Sequence, residues 1–86
     1  MRIILHRNFE KKFVKLHSKL KERFKERRNL FLENPLHPQL SNHPLGGKRI
    51  GQWSINITGD WRAVYVFQDK HTVVFIDLDT HSNLYE

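Results

Sequence analysis

Hydrophobic and polar positions follow three regimes along the chain. Residues 2–6 (Arg-Ile-Ile-Leu-His) are a short run of branched apolar side chains, the pattern of a strand. Phe9, Phe13, Leu16 and Leu20 then recur at offsets of four, three and four, which predicts a helix with Lys11, Lys12, Lys15 and Lys19 on its other face. Asn8 stands where an N-cap is expected, since its side chain can accept from the first free helical amides. Ser18 is placed to cap a second helix, with Leu20, Phe24 and Phe31 as its apolar side and Leu30 and Leu32 widening it near the end. Pro35 disfavours helical geometry at the residue before it, so this helix is expected to stop by Asn34. Two antiparallel helices joined near Ser18 form a hairpin that suits one face of a sheet.

Residues 34–47 hold three prolines and a Gly-Gly pair, which predicts a loop. Beyond it the period changes to two. Trp53, Ile55 and Ile57 alternate with Ser54, Asn56 and Thr58, as in a strand with one covered face. Gly59-Asp60 signals a turn. Residues 61–67 and 72–78 read as two further strands joined by a hairpin loop at residues 68–71. The expected order is β-α-α-β-β-β, an α+β fold with a helical hairpin packed on a small, antiparallel-dominated sheet, in a single domain over residues 1–86.

Charge sharpens this picture because it is uneven. Residues 1–33 carry eleven Lys and Arg against four acids, a net +7, while residues 34–86 carry four against five, a net −1. A basic half beside a near-neutral half points to one face that meets a polyanion and another with a different task. The alternative is a solvated, Lys-rich helix surface. The absence of cysteine excludes disulfides and thiolate metal sites and fits a reducing compartment. The first residues form no signal-like or membrane-spanning run, so a soluble cytoplasmic protein is expected.

The C-terminal half carries an ordered set of short motifs. They are His43-Pro44-Leu45-Gly46-Gly47, Gly51-Gln52-Trp53-Ser54-Ile55, Gly59-Asp60-Trp61-Arg62-Ala63-Val64-Tyr65 and Asp79-Thr80-His81-Ser82-Asn83-Leu84-Tyr85. With the strand, basic hairpin and Asn-Pro stop before them, they resemble the RelE/ParE toxin superfamily, and within it the YafQ-like branch, over essentially the whole chain. The resemblance implies a RelE-like fold and a type II toxin. It implies an endoribonuclease (mRNA interferase) that enters the ribosomal A site and cleaves messenger without a metal or other cofactor, silenced by an antitoxin. It also places catalysis or phosphate contact at His43, Asp60, Trp61, His81 and Tyr85, and aligns Arg62 with an arginine that other ribonuclease branches use on the scissile phosphate. Two positions depart from the pattern: Asn56 stands where a histidine is common, and Asp77 where an arginine is common. The phosphate-binding charge is then expected from Arg62, Lys48 or Arg49.

Metal-free RNA cleavage needs a base for the 2′-hydroxyl, an acid for the departing 5′-oxygen and a cation on the phosphorane. Histidine serves the first two because its unperturbed pKa of about 6.5 lies near cellular pH. His81 is the first candidate for the acid, against the alternative of a surface histidine near the terminus. His43, ahead of Pro44, is a candidate for base or phosphate contact, against that of an idle turn residue. Asp60 can act as base, can orient a histidine, or can be plain turn chemistry. Trp61 and Tyr85 can stack on bases, although Trp61 can equally be core, as Trp53 is expected to be. Arg62 on an apolar strand implies a partner: a phosphate near Asp60, or a salt bridge to Asp77 or Asp79. Lys11, Lys12 and Lys15, with the other helical cations, are expected to contact ribosomal RNA in a salt-dependent way.

Two other functions compete. One is a ParE-like gyrase-poisoning toxin without a nuclease site, against which His43, Asp60 and His81 argue. The other is a degenerate antitoxin-binding module, to which Asn56 and Asp77 lend weight. The histidines show no metal-ligand spacing, and Asn56-Ile57-Thr58 matches a glycosylation triplet without a secretory signal.

Overall fold

The computed structural model describes residues 1–84. The order is β1 (Arg2–Leu5), α1 (Arg7–Phe13), α2 (Ser18–Glu33), β2 (His43–Pro44), β3 (Trp53–Asn56), β4 (Trp61–Asp69), β5 (Thr72–Thr80) and a short α3 (His81–Leu84). The five strands form one sheet in the order β1-β5-β4-β3-β2, parallel at β1/β5 and antiparallel elsewhere. The expected α+β architecture is present. The loop over residues 34–47 is more ordered than its prolines suggest, since it holds a 3-10 turn at Pro38–Leu40 and the two-residue edge strand β2. The β4–β5 hairpin is tighter than expected, because the strands run on to Asp69 and from Thr72, and the Asp69 carboxylate accepts from the His71 N–H at 2.8 Å.

The helices start one or two residues earlier than the cap residues read from the sequence. Asn8 and Ser18 both lie inside their helices; the caps are His6 and His17, whose Nδ1 atoms accept from the backbone N–H of Asn8 at 3.0 Å and Lys19 at 3.2 Å. An imidazole Nδ1 sits where an Asn or Asp oxygen would, so histidine can meet the same orphan amide. His37 repeats the device at the 3-10 turn, accepting from Gln39 at 3.1 Å. Asn8 instead donates to the Ile76 carbonyl at 3.3 Å, tying α1 to β5 beyond the end of β1.

The helical stripe does what its spacing predicts. Phe9, Phe24 and Phe31 are buried with Ile55, Ala63, Tyr65, Val73, Phe75 and Leu78, and Phe13, Leu16 and Trp53 pack against them. Most of the rings meet edge-on or tilted, with centroids 5.1 Å apart for Phe9–Phe24 and Phe31–Tyr65 and 5.6 Å for Phe24–Phe75, an arrangement aromatic quadrupoles favour, while Phe9–Phe13 and Trp53–Tyr65 stack. All of this lies on one side of the sheet. Among the described residues, no helix is long and apolar enough to cross a membrane.

Candidate active site

Strand alternation assigns the polar residues to the face that the helical hairpin leaves open. Trp53 and Ile55, and Ala63 and Tyr65, point into the helix-covered core, so Ser54, Asn56, Arg62 and Val64 point the other way. Residues directly opposite one another share a face. His43 pairs with Ser54, Ser54 with Val64, Val64 with Asp77, and Arg62 with Asn56 and Asp79. A second apolar cluster of Leu45, Val64 and Leu84, with Ile76 against it, floors this open face.

Asp77 and Asp79 reach that face through an irregularity in β5. Val73 and Phe75 are core residues, and unbroken alternation would drive the next two odd positions, both aspartates, into the core as well. The register slips between Val64 and Tyr65, which pair with Asp77 and Phe75 and leave Ile76 as the extra residue. Such a bulge re-aims the side chains beyond it, so Leu78 enters the core and the carboxylates turn out.

His43 is exposed on β2, and its Nδ1 lies 2.6 Å from the Ser41 carbonyl oxygen. A carbonyl only accepts, so Nδ1 carries a proton, and in the neutral ring the basic lone pair is then on Nε2. Ser41 takes a left-handed conformation, with φ 45°, to present that carbonyl. Asn42, the residue between, accepts from the buried Tyr65 hydroxyl at 2.8 Å, which ties the His43 segment to the core. Burial pushes the Tyr65 hydroxyl pKa up, against the opposing pull of that hydrogen bond.

His81 opens α3, and its backbone N–H donates to the Asp60 carbonyl at 2.7 Å, pinning the end of β5 to the β3–β4 turn. The structure therefore brings Asp60 and His81 together. His43 lies three strand spacings from β5, about 14 Å at the usual inter-strand distance, on the same face as Arg62 and Asp77.

Arg62 does not form the salt bridge to Asp77 or Asp79 that was one of its sequence-derived alternatives. Its NH1 donates to the carbonyls of Thr58 (3.1 Å), Gly59 (3.2 Å) and Trp61 (3.2 Å), so it clamps the turn that carries Asp60. The carboxylates expected as its partners are held by others. Lys12 reaches Asp77 at 2.7 Å and Asp79 at 3.4 Å, Arg49 reaches Asp77 at 2.8 Å, and Asn83 donates to Asp79 at 2.8 Å. Burial pushes Asp77 up, but the Lys12, Arg49 and Leu78 hydrogen bonds outweigh it and hold the carboxyl below its usual range. For Asp79, burial is likewise overcome by Asn83, the Thr80 N–H and Lys12. Lys12 is raised by its hydrogen bond to Asp77, against the opposing pull of burial. Lys12 thus spends its charge inside the protein, whereas Lys11 and Lys15 are exposed.

A cleft of about 570 Å³ opens between the Gly46–Gln52 loop and α3, lined by Leu45, Lys48, Arg49, Gln52, Asn83 and Leu84. Gly47 (φ 58°) and Gly51 (φ 89°) give the loop backbone shapes that a side chain would strain. Trp61 is remote from this cleft. It packs half-buried against the main core and lines a smaller groove on the helix side with Lys12, Lys15 and Leu20. Tyr85 lies outside the described residues. Sequence reasoning passed over the part Asp77 plays, although two carboxylates on one face of an otherwise apolar strand already demand cationic partners. Among the described residues no three His, Cys, Asp or Glu side chains converge as a metal ion would require.

This arrangement has solved counterparts. YafQ from Escherichia coli strain BL21(DE3) superposes with a TM-score of 0.77 at 27% identity, covering 100% of both chains. The toxin in the E. coli DinJ-YafQ complex gives 0.74 at the same identity and coverage. The YoeB/ParE toxin of Agrobacterium tumefaciens shares the fold with a TM-score of 0.76 at 19% identity, over 94% of this chain and 99% of that one. No match is found among curated protein sequences. All of residues 1–86 match the family described as the bacterial toxin of type II toxin-antitoxin systems, YafQ. With the motifs in order, the fold matched end to end and the family matched over its full length, the chain belongs to the YafQ family of type II toxins.

Proposed function

We propose that this toxin is a metal-free endoribonuclease that cleaves messenger RNA in the ribosomal A site, with His43 as base and His81 as acid. The observation that supports the reading is the open sheet face, which carries His43 with a proton on Nδ1 and, from Leu45 two residues on, a cleft walled by Lys48, Arg49 and α3, the helix that His81 opens. In the reaction His43 Nε2 takes the 2′-hydroxyl proton, and the 2′-oxygen bonds to phosphorus. The bond from phosphorus to the 5′-oxygen breaks, and His81 protonates that oxygen as it leaves. The products are a 2′,3′-cyclic phosphate and a 5′-hydroxyl, and an enclosed cation stabilises the phosphorane between them.

The uneven charge supports a second part of the reading. The exposed lysines and arginines of α1 and α2 form a sequence-independent hold on ribosomal RNA. A cognate antitoxin with an acidic amphipathic segment would compete for the same charge, in line with the complex that E. coli YafQ forms with DinJ. The protein then works in the cytoplasm, where messenger and ribosomes are.

Primer extension on ribosome-bound messenger after induction tests the reading. Discrete, codon-positioned cuts are expected from the wild type, reduced about 10²–10⁴-fold in His81→Ala. Growth arrest with intact messenger would instead favour a gyrase-poisoning toxin.

A further inference from the structure

We propose that Arg49 is the cation that grips the RNA phosphate in this chain, and that Asp77 is a positioning residue that holds its guanidinium for that contact. The proposal rests on the nuclease reading of the site and says which residue meets the charge of the substrate there.

The geometry of the fork is the starting point. Arg49 NH2 donates to Asp77 Oδ2 at 2.8 Å, and its NH1 donates to Gln52 Oε1 at 2.9 Å. Anchors on two different terminal nitrogens fix the plane of a guanidinium, which a single contact does not. A guanidinium has five N–H donors, so these two contacts leave three for a ligand. The side chain is 27% exposed and borders the 570 Å³ cleft, a volume within the usual range of small-ligand sites, about 300–1,000 Å³. The backbone below is also set, since the Arg49 N–H donates to Gly46 O at 3.1 Å and its carbonyl accepts from Gln52 N at 2.9 Å. Lys48 supplies a second cation on the same wall.

Asp77 is suited to the positioning part because it is itself immobilised. Its other oxygen accepts from Lys12 at 2.7 Å and from the Leu78 N–H at 2.8 Å, and its side chain is only 14% exposed. Lys12 also offsets the negative charge that Asp77 would otherwise set against an incoming phosphate. The opposite wall of the cleft is α3, which begins at His81 and is tied back to β5 through Asn83 and Asp79. The cation thus faces Asn83 and Leu84, two and three residues after the candidate acid, across one opening. Arg62 holds the turn carbonyls through NH1 and is not among the residues that line this cleft.

Charge and position predict opposite outcomes for Asp77→Asn. If Asp77 only dilutes a cationic patch, removing its charge strengthens RNA binding and speeds cleavage. If it positions Arg49, kcat falls while KM stays level or improves. The experiment measures cleavage of ribosome-bound messenger by the full-length protein, with thermal melts to confirm folding. In parallel, the Arg49 Nε–H signal is followed by NMR as a single-stranded RNA carrying a 2′-deoxy substitution, which binds without being cut, is added. Arg49→Lys is expected to lower cleavage about 10²–10³-fold with folding retained, because an ammonium cannot reproduce the fork. Asp77→Asn is expected to lower kcat about 10–100-fold. The double variant should be no worse than Arg49→Lys alone, since the second change then has nothing left to misplace. Wild-type rates in Arg49→Lys overturn the phosphate contact, and wild-type or faster rates in Asp77→Asn overturn the positioning role. If the wild type makes no cuts but the deoxy-RNA shifts the Arg49 signal, the nuclease reading fails and the phosphate contact stands; no cuts and no shift overturn both.

Discussion

At the scale of single residues, the open face is built by side chains that fix other side chains. Tyr65 illustrates the coupling: its ring is part of the core, yet its hydroxyl holds Asn42 beside His43. Tyr65→Phe removes one hydrogen bond and little volume, so a loss of about 0.5–1.5 kcal/mol is expected in urea titration. Because Asn42 is then released next to His43, messenger cleavage should fall further than that stability change explains. Wild-type cleavage at equal protein concentration would show that the Asn42 tether is irrelevant to the site. The sequence made His43 and His81 legible as candidates through their motifs. It could not reveal that Nδ1 of His43 is committed to the Ser41 carbonyl, because that depends on a left-handed residue two positions earlier.

At the scale of elements, histidine serves as a capping residue three times, at His6, His17 and His37. His17 begins the longest helix of the fold, and that helix carries Phe24 and Phe31 into the core. His17→Ala should destabilise the protein by about 0.5–2 kcal/mol, the usual effect of losing a side-chain cap, whereas His17→Asn should preserve or raise stability. Equal melting temperatures for both variants would show that the imidazole contributes nothing to the start of α2. The helical stripe and the period-two strands were readable because buried positions must repeat with the geometry of their element. The caps were not, since Asn and Ser are the usual residues and histidine is an uncommon substitute whose use depends on the local backbone.

At the scale of the whole molecule, Lys12, Asp77, Asp79 and Arg49 join α1, β5 and the glycine loop, three segments far apart in the chain. Both aspartates are held below the ordinary carboxylate range. Their contribution to stability is therefore present above the unfolded value of about 3.9 and is lost as pH falls through the folded values. Lys12 is raised, so its contribution is present below about 10.4 and fades as pH rises through its folded value. Thermal melts should plateau between about pH 5 and 9 and fall on the acid side, with a shallower acid limb in Asp77→Asn. An acid limb of unchanged slope in that variant would show that the network does not contribute to the pH dependence.

The amino-acid sequence by itself determined the two long helices, the four longer strands, the main aromatic core and the family, because each follows from local periodicity or from an ordered run of motifs; the two-residue β2 and the short α3 do not. Asp77 shows what lay beyond it. Alternation along Thr72–Thr80 assigns this residue to the same face as Phe75, and only the bulge at Ile76, set by pairing with β4, turns it out to meet Lys12 and Arg49. The parallel pairing of β1 with β5, the engagement of Arg62 with its own turn and the placing of Trp61 on the helix side are decisions of the same kind. Each depends on which distant segment satisfies a buried backbone or charged group, and that choice is made only when the whole sheet is assembled.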